Sequence, residues 1–286
     1  MIQHPIVHEP FAYGIGFLQI TGFGLAVLLS FVIGQIVAQA ETARRGYDPE
    51  PIADLVFVAV IGGLAGAKIY YAILTGDVSS LWSRAGFVFW GGLIGGIVAC
   101  SIYVWRKRLG ILRLADVSGI AVAAAYAVGR TGCWAVGDDY GRPWNGFLAT
   151  EFPEGAPPST AENLRSLFGV DLPPTTLPTE VLAVHPTQLY EVAMGMIMFA
   201  VLWRLRDHRH ATGWLAGVYC VLAGVERFIV EFFRAKDDRF FGPFTTAQVI
   251  AVVFVLVGVA LMSARWRIGP GRPGIHAAGG ATPAAA

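Results

Sequence analysis

Gly129-Arg130-Thr131-Gly132-Cys133-Trp134-Ala135-Val136-Gly137-Asp138-Asp139-Tyr140-Gly141-Arg142 sets an arginine inside an apolar span and two aspartates where that span meets water. A charge at mid-membrane costs at least about 2.5–3.5 kcal/mol, so such a residue faces a polar cavity, a partner or a function. We read the stretch as the end of a transmembrane helix. An anion-binding arginine beside carboxylates at a lipid boundary points to chemistry on a phospholipid head group.

The composition agrees. Of 286 residues, 55% are hydrophobic and only 14% charged, where a soluble domain usually carries about 25% charged residues. This is the composition of an integral membrane protein. The formal net charge of +1 says nothing about an acidic partner, and no basic run suggests nucleic acid, so no nucleic-acid partner is expected. The three cysteines, Cys100, Cys133 and Cys220, are odd in number and lie in apolar stretches, so a disulfide framework is not expected. Residues 1–13 hold Pro5 and Pro10 without a basic leader before an apolar core. The first apolar segment is therefore expected to stay as a transmembrane helix.

Segments long enough to span a bilayer, roughly 20 residues each, fall at about 14–38, 52–74, 86–104, 115–136, 187–205, 213–233 and 245–263. The expected fold is thus an all-α membrane protein with about seven transmembrane helices. Arg44 and Arg45 follow the first segment, Arg106, Lys107 and Arg108 the third, Arg204, Arg206 and Arg209 the fifth, and Arg265, Arg267 and Arg272 the seventh. Basic loops face the cytoplasm, which puts the N-terminus outside and the C-terminus inside. Residues 1–268 then form a single polytopic membrane domain, and the Pro-, Gly- and Ala-rich residues 269–286 a disordered cytoplasmic tail. The connection at about 138–186 is too long for a structureless link and is expected to fold as a small external head. Gly62 with Gly66, Gly91 with Gly95 and Gly92 with Gly96 are small-xxx-small pairs that let helices approach closely. So many glycines weaken a helix, and Gly91 and Gly92 could also line a cavity for lipid.

Three constellations could hold chemistry. Arg130 with Asp138 and Asp139 is the first; its plain alternative is snorkelling with a local ion pair. The second is Glu226-Arg227-Phe228-Ile229-Val230-Glu231-Phe232-Phe233-Arg234. Arg227 and Glu231, four apart, share one helical face and Arg234 continues the stripe; a structural ion pair is the alternative. Two arginines on one side of the membrane can grip one phosphate through charge-assisted, bidentate bonds. The third is His185-Pro186-Thr187-Gln188-Leu189-Tyr190-Glu191, where the head re-enters the membrane. His185 could act as a base near neutral pH or simply orient the loop, while Gln188, Tyr190 and Glu191 need polar partners. Lys68 reads as a snorkelling cation. No Cys/His spacing suits a metal, and no phosphate loop or dinucleotide fingerprint occurs.

Taken together, these elements resemble the prolipoprotein diacylglyceryl transferase family over about residues 12–263. The resemblance rests on Ile61-Gly62-Gly63-Leu64-Ala65-Gly66-Ala67-Lys68, Gly91-Gly92-Leu93-Ile94-Gly95, Gly129-Arg130-Thr131-Gly132 with Gly137 and Tyr140-Gly141-Arg142, His185 to Glu191, and Arg227 with Glu231, all in matching order. It departs at Trp90 where the family has histidine, at Cys133 and Val136 for asparagines, at Asp138 for glutamate and at Phe23 for tyrosine.

The resemblance implies an enzyme of the bacterial plasma (inner) membrane, acting as a monomer without a cofactor. It would transfer the diacylglyceryl group of phosphatidylglycerol to the lipobox cysteine thiol of a prolipoprotein signal peptide, releasing glycerol 1-phosphate. Arg130, Arg227, Asp138 and Glu231 would be catalytic. Arg130, Arg227, Gly91, Gly92, Gly141, His185, Gln188 and Tyr190 would contact substrate. A thiol attacks as thiolate, with Asp138 or His185 assisting its deprotonation, and the arginines would stabilise charge on the departing phosphate. Two alternatives stay open: a paralogue using the same lipid site with another acceptor, and a membrane protein that binds or translocates lipid without catalysis.

Overall fold

Each of the seven apolar segments forms a helix. The computed structural model describes residues 5–15, 18–82, 86, 88–235, 239–241 and 244–267; the expected tail at 269–286, with Arg272, lies outside them. The elements in order are β1 (Ile6–Val7), β2 (Ala12–Ile15), β3 (Leu18–Thr21), α1 (Gly22–Arg44), α2 (Glu50–Thr75), α3 (Phe89–Arg106), α4 (Ile111–Val136), β4 (Thr150–Glu151), α5 (Ala161–Ser166), α6 (Thr187–Leu205), α7 (Trp214–Val230), β5 (Arg239–Phe241), β6 (Phe244–Thr245) and α8 (Thr246–Ala264). By length and composition α1, α2, α4, α6 and α8 can each cross a membrane. Their outer faces carry large apolar side chains in the open, such as Val253, Leu256 and Val257 on α8 and Phe57 and Ile73 on α2. In water such a surface would drive association; in a bilayer it meets lipid. The chain is a mostly helical membrane protein.

Two expectations need adjusting. Strand pairs accompany the helices, so the fold is not purely α. The first helix also begins at Gly22 rather than near residue 14, because Ala12–Ile15 pairs antiparallel with Leu18–Thr21. Apolar character alone cannot separate those strands from a helix start.

Among the described residues, contacts gather into two units: those up to Gly34 together with 119–267, and Gln35–Ser118. In the second unit α2 and α3 form a tight pair. A Cβ on Gly66 would lie 2.7 Å from the Cα of Gly95, and one on Gly95 would meet Gly66 Cα at the same distance. Only glycine permits that approach, which substitutes backbone contact for side-chain packing. The same unit holds a buried charge cluster. Glu41 accepts from Arg44 Nε and Arg45 Nε at 2.6 Å each, and Arg45 Nη1 lies 3.7 Å from Asp116.

The first unit contains the folded connection between α4 and α6. Its core is Tyr140, Phe152, Leu164 and Val184 with Ala235, flanked by Trp134, Phe168 and Leu182. Tyr140 stacks on Phe152 at 5.3 Å and its hydroxyl is 2.9 Å from the carbonyls of Pro157 and Pro158. Val184 exchanges backbone bonds with Thr150, and β1 adds to β4 in parallel. The long connection is therefore a packed head. α5 is capped by the Thr160 hydroxyl, which accepts from the Asn163 amide, and α8 starts with a capping box of Thr245 and Gln248.

Candidate active site

α4 ends where the chain needs a left-handed residue. Gly137 has φ +70°, and both its amide and that of Asp138 donate to the Cys133 carbonyl, the usual way of closing a helix with glycine. Asp139 follows with φ +58°, a conformation that aspartate tolerates better than most residues. The first turn of α6 holds this bend. Thr187 Oγ1 donates to the Asp139 carbonyl at 2.6 Å and Gln188 Nε2 donates to the Asp138 carbonyl at 2.5 Å.

The bend places Asp139 between two guanidiniums. Arg130 Nη1 lies 3.1 Å from Asp139 Oδ2, and Arg234 Nη2 lies 2.8 Å from Asp139 Oδ1. Arg130 Nη2 also donates to Glu191 on α6. Glu191 is the hub of the cluster: its other oxygen is 3.8 Å from Arg227 Nη1 and 3.9 Å from Arg234 Nη1. Arg227 Nη2 reaches Glu231 Oε2 at 2.7 Å, and Arg234 Nε approaches the same oxygen at 3.7 Å. Three arginines from α4, α7 and the segment after α7 thus meet three carboxylates. Glu191 and Glu231 are almost fully buried, whereas the Arg227 side chain is 34% exposed and the most open of the three arginines. Arg227 lies in the last turn of α7, where a cation is favoured by the helix dipole.

The arrangement brings together Arg130, Arg227 and Glu231, as expected, and adds Glu191, Arg234 and Asp139. Asp139, rather than Asp138, binds the arginines. The Asp138 carboxyl is pushed up to about 6, mainly by burial and then by the charge of Asp139, while Arg234 and Arg130 hold Asp139 below the usual carboxylate range against its own burial. Neighbouring carboxyls split in this way are a known mark of acid–base sites. Among the buried polar atoms here, Asp138 Oδ1, Gln188 Oε1, Arg130 Nε and Arg234 Nε find no hydrogen-bond partner among the described residues.

Other expected residues support the cluster. Gly141 donates its amide to His185 O at 2.8 Å, and Arg142 N donates to Phe233 O. A Cβ on Gly141 would strike the Phe233 carbonyl and approach His185 Cβ to 2.7 Å. Glycine is needed there so that the segment before Arg234 can lie against the head. The His185 ring stacks on Trp144 at 4.4 Å, and its Nδ1 is 3.1 Å from Tyr190 Oη. Burial lowers its pKa, which keeps the ring neutral. His185 and Tyr190 thus pack on each other, with Trp144 stacked on the His185 ring. Gly91 and Gly92 sit in the α2–α3 pair, where a Cβ on Gly91 would strike Tyr70 Cβ and one on Gly92 would meet Gly63 O at 3.4 Å; the contacts they make are helix packing.

Cys133, Asp138 and Asp139 bring potential metal-ligand atoms within 4.8 Å of one another. The Arg130 guanidinium already serves that group, with Nη1 3.1 Å from both Cys133 Sγ and Asp139 Oδ2. The guanidinium is thus the cation that this group faces.

The fold and this site define a helical membrane protein with a buried arginine–carboxylate cluster beside the packed head between α4 and α6. Residues 10–264 match the family profile described as prolipoprotein diacylglyceryl transferase, and the chain belongs to that family. Its relatives include proteins named phosphatidylglycerol–prolipoprotein diacylglyceryl transferase. The one from Xanthomonas oryzae pv. oryzae is 30% identical over 89% of this chain and 90% of its own length. Those from Azoarcus sp. and Clostridium tetani are 29% and 27% identical, covering 92% and 89% of this chain and 96% and 95% of theirs.

Proposed function

We propose that the protein transfers the diacylglyceryl group of phosphatidylglycerol to the lipobox cysteine of a prolipoprotein signal peptide, releasing glycerol 1-phosphate. Family membership and the relatives' names support the reaction. The observation that supports its assignment to this site is the convergence of Arg130, Arg227 and Arg234 on Glu191. Three guanidiniums in a water-poor setting are suited to a phosphate whose charge grows as its ester bond breaks. The lipid phosphate enters against Arg227, the most open arginine, and competes with Glu191 for Arg130. The thiolate attacks the glycerol carbon, and Asp138, whose carboxyl titrates near 6, accepts the thiol proton. Gln188 and Glu231 hold the loop and Arg227 in position.

Basic residues after alternate apolar segments support seven membrane spans. The N-terminus and the head then lie outside and the C-terminus in the cytoplasm, within one polytopic domain of a bacterial plasma membrane. The protein acts as a monomer. The test is to supply purified protein with phosphatidylglycerol and a lipobox peptide and to seek the thioether by mass. Product that depends on Arg130 is expected; no product, with Arg130→Ala and wild type indistinguishable in lipid binding, overturns the reading.

A further inference from the structure

One buried acid next to the cluster has no arginine within ion-pair distance among the described residues. Glu226, on α7 immediately before Arg227, is 8% exposed, and the Tyr126 hydroxyl donates to its Oε1 at 2.9 Å. Asp139, Glu191 and Glu231 each have an arginine nitrogen within 4.0 Å; Glu226 has none among the described residues. Ionisable groups buried within a membrane span mark functional sites by default.

The charges around it point to its form. Arg130, Arg227 and Arg234 face Asp139, Glu191 and Glu231, one for one, before Glu226 is counted. A buried carboxyl without its own ion-pair partner is held more cheaply in the neutral form than as a charge. Oε1 accepts from Tyr126, which leaves Oε2 to carry the proton.

Its place along the span points to its use. Tyr126 precedes Arg130 by four residues and so lies just over one turn, about 6 Å, farther from the head along the same face of α4; Glu226, which it holds, lies one residue before Arg227 on α7. A phospholipid keeps its acyl chains toward the bilayer centre. With its phosphate on the arginines, the bond between glycerol carbon and bridging oxygen lies on the deeper side, toward Glu226.

We propose that Glu226, oriented by Tyr126, is the proton donor to the departing phosphate. The inference rests on the transferase reading above. As sulfur forms its bond to the glycerol carbon, the carbon–oxygen bond breaks and its electron pair moves to the bridging oxygen, raising the phosphate from one negative charge to two. Glu226 gives that oxygen a proton. Glycerol 1-phosphate then leaves and Glu226 regains a proton from water; the thiol proton, taken by Asp138, passes to water on the head side.

The test uses reconstituted full-length protein and Glu226→Gln, whose amide oxygen still accepts from Tyr126 but which holds no transferable proton. With phosphatidylglycerol, kcat should fall about 10²-fold, within the usual range for a lost acid, while KM changes less than about threefold. An analogue with sulfur as the bridging atom leaves without protonation, and on it the variant should come within about threefold of wild type. Tyr126→Phe, which keeps the acid and frees its orientation, should show a smaller loss that the same analogue repairs. An unchanged kcat, or an equal loss on both lipids, overturns the proposal. A wild-type protein that makes no thioether overturns the transferase reading as well.

Discussion

The two arginine–carboxylate clusters of this protein use the same side chains to opposite ends. In the cluster of Glu41, Arg44, Arg45 and Asp116 two cations meet two anions, and both Arg45 and Glu41 are closed off from solvent at contacts of 2.6 Å. In the cluster around Glu191 several contacts are loose, at 3.7–3.9 Å, Arg227 is open to the outside, and acids outnumber arginines once Asp138 and Glu226 are counted. Charge pairs that only hold helices together do best when neutral and complete, because any uncompensated buried charge is costly. A site meant to receive an anion needs the reverse: a cation whose protein partner can be displaced.

That contrast is open to breakage. The largest expected effect belongs to Glu41→Gln, which strands two guanidiniums and should cost about 3–5 kcal/mol of stability while the folded fraction keeps its specific activity. Thermal unfolding with activity measured per folded molecule checks this, and a variant that is stable but inactive would erase the distinction between the clusters. Next comes Arg130→Lys. An ammonium cannot reproduce the planar fork that reaches Asp139 and Glu191 together, and thioether formation should drop about 10²–10³-fold with little change in unfolding temperature. Wild-type turnover would mean that Arg130 only snorkels.

Glu191→Gln sharpens the same point. The amide keeps the size of the hub and removes its competing charge, so glycerol phosphate should bind about tenfold tighter, or about 1.4 kcal/mol, as measured by product inhibition. Weaker binding would show instead that Glu191 holds the arginines in place for the anion.

The apolar segments are legible in the sequence because twenty consecutive apolar residues have few alternatives. Arg130 and Arg227 are legible because a cation in such a segment is costly. Glu191 is not legible as the hub: its partners Arg130 and Arg227 lie 61 and 36 residues away, and no spacing rule links helices that meet only in three dimensions. The choice between Asp138 and Asp139 was equally hidden, since it depends on the left-handed bend at Asp139. Nor could pattern alone show β1 pairing with β4 across the head. Arg234 did continue the stripe of Arg227 and Glu231, and that stripe was the signal available for it.

The smallest expected effect separates chemistry from packing at Asp138. Its carboxyl titrates near 6 in the folded protein, against about 3.9 in an unfolded chain. A carboxyl raised in this way contributes stability at low pH and loses it as pH rises through about 6, because the folded state then holds a charge it disfavours. Asp138→Asn should therefore raise the unfolding temperature by a few degrees at about pH 8 and draw level with wild type near pH 4. If Asp138 takes the thiol proton, wild-type turnover climbs through pH 6 and the variant loses that climb. Stability and activity then move in opposite directions above pH 6, which simple damage to the loop cannot produce. A variant less stable and less active at every pH would reduce the Asp138 carboxyl to a structural group of the bend after α4.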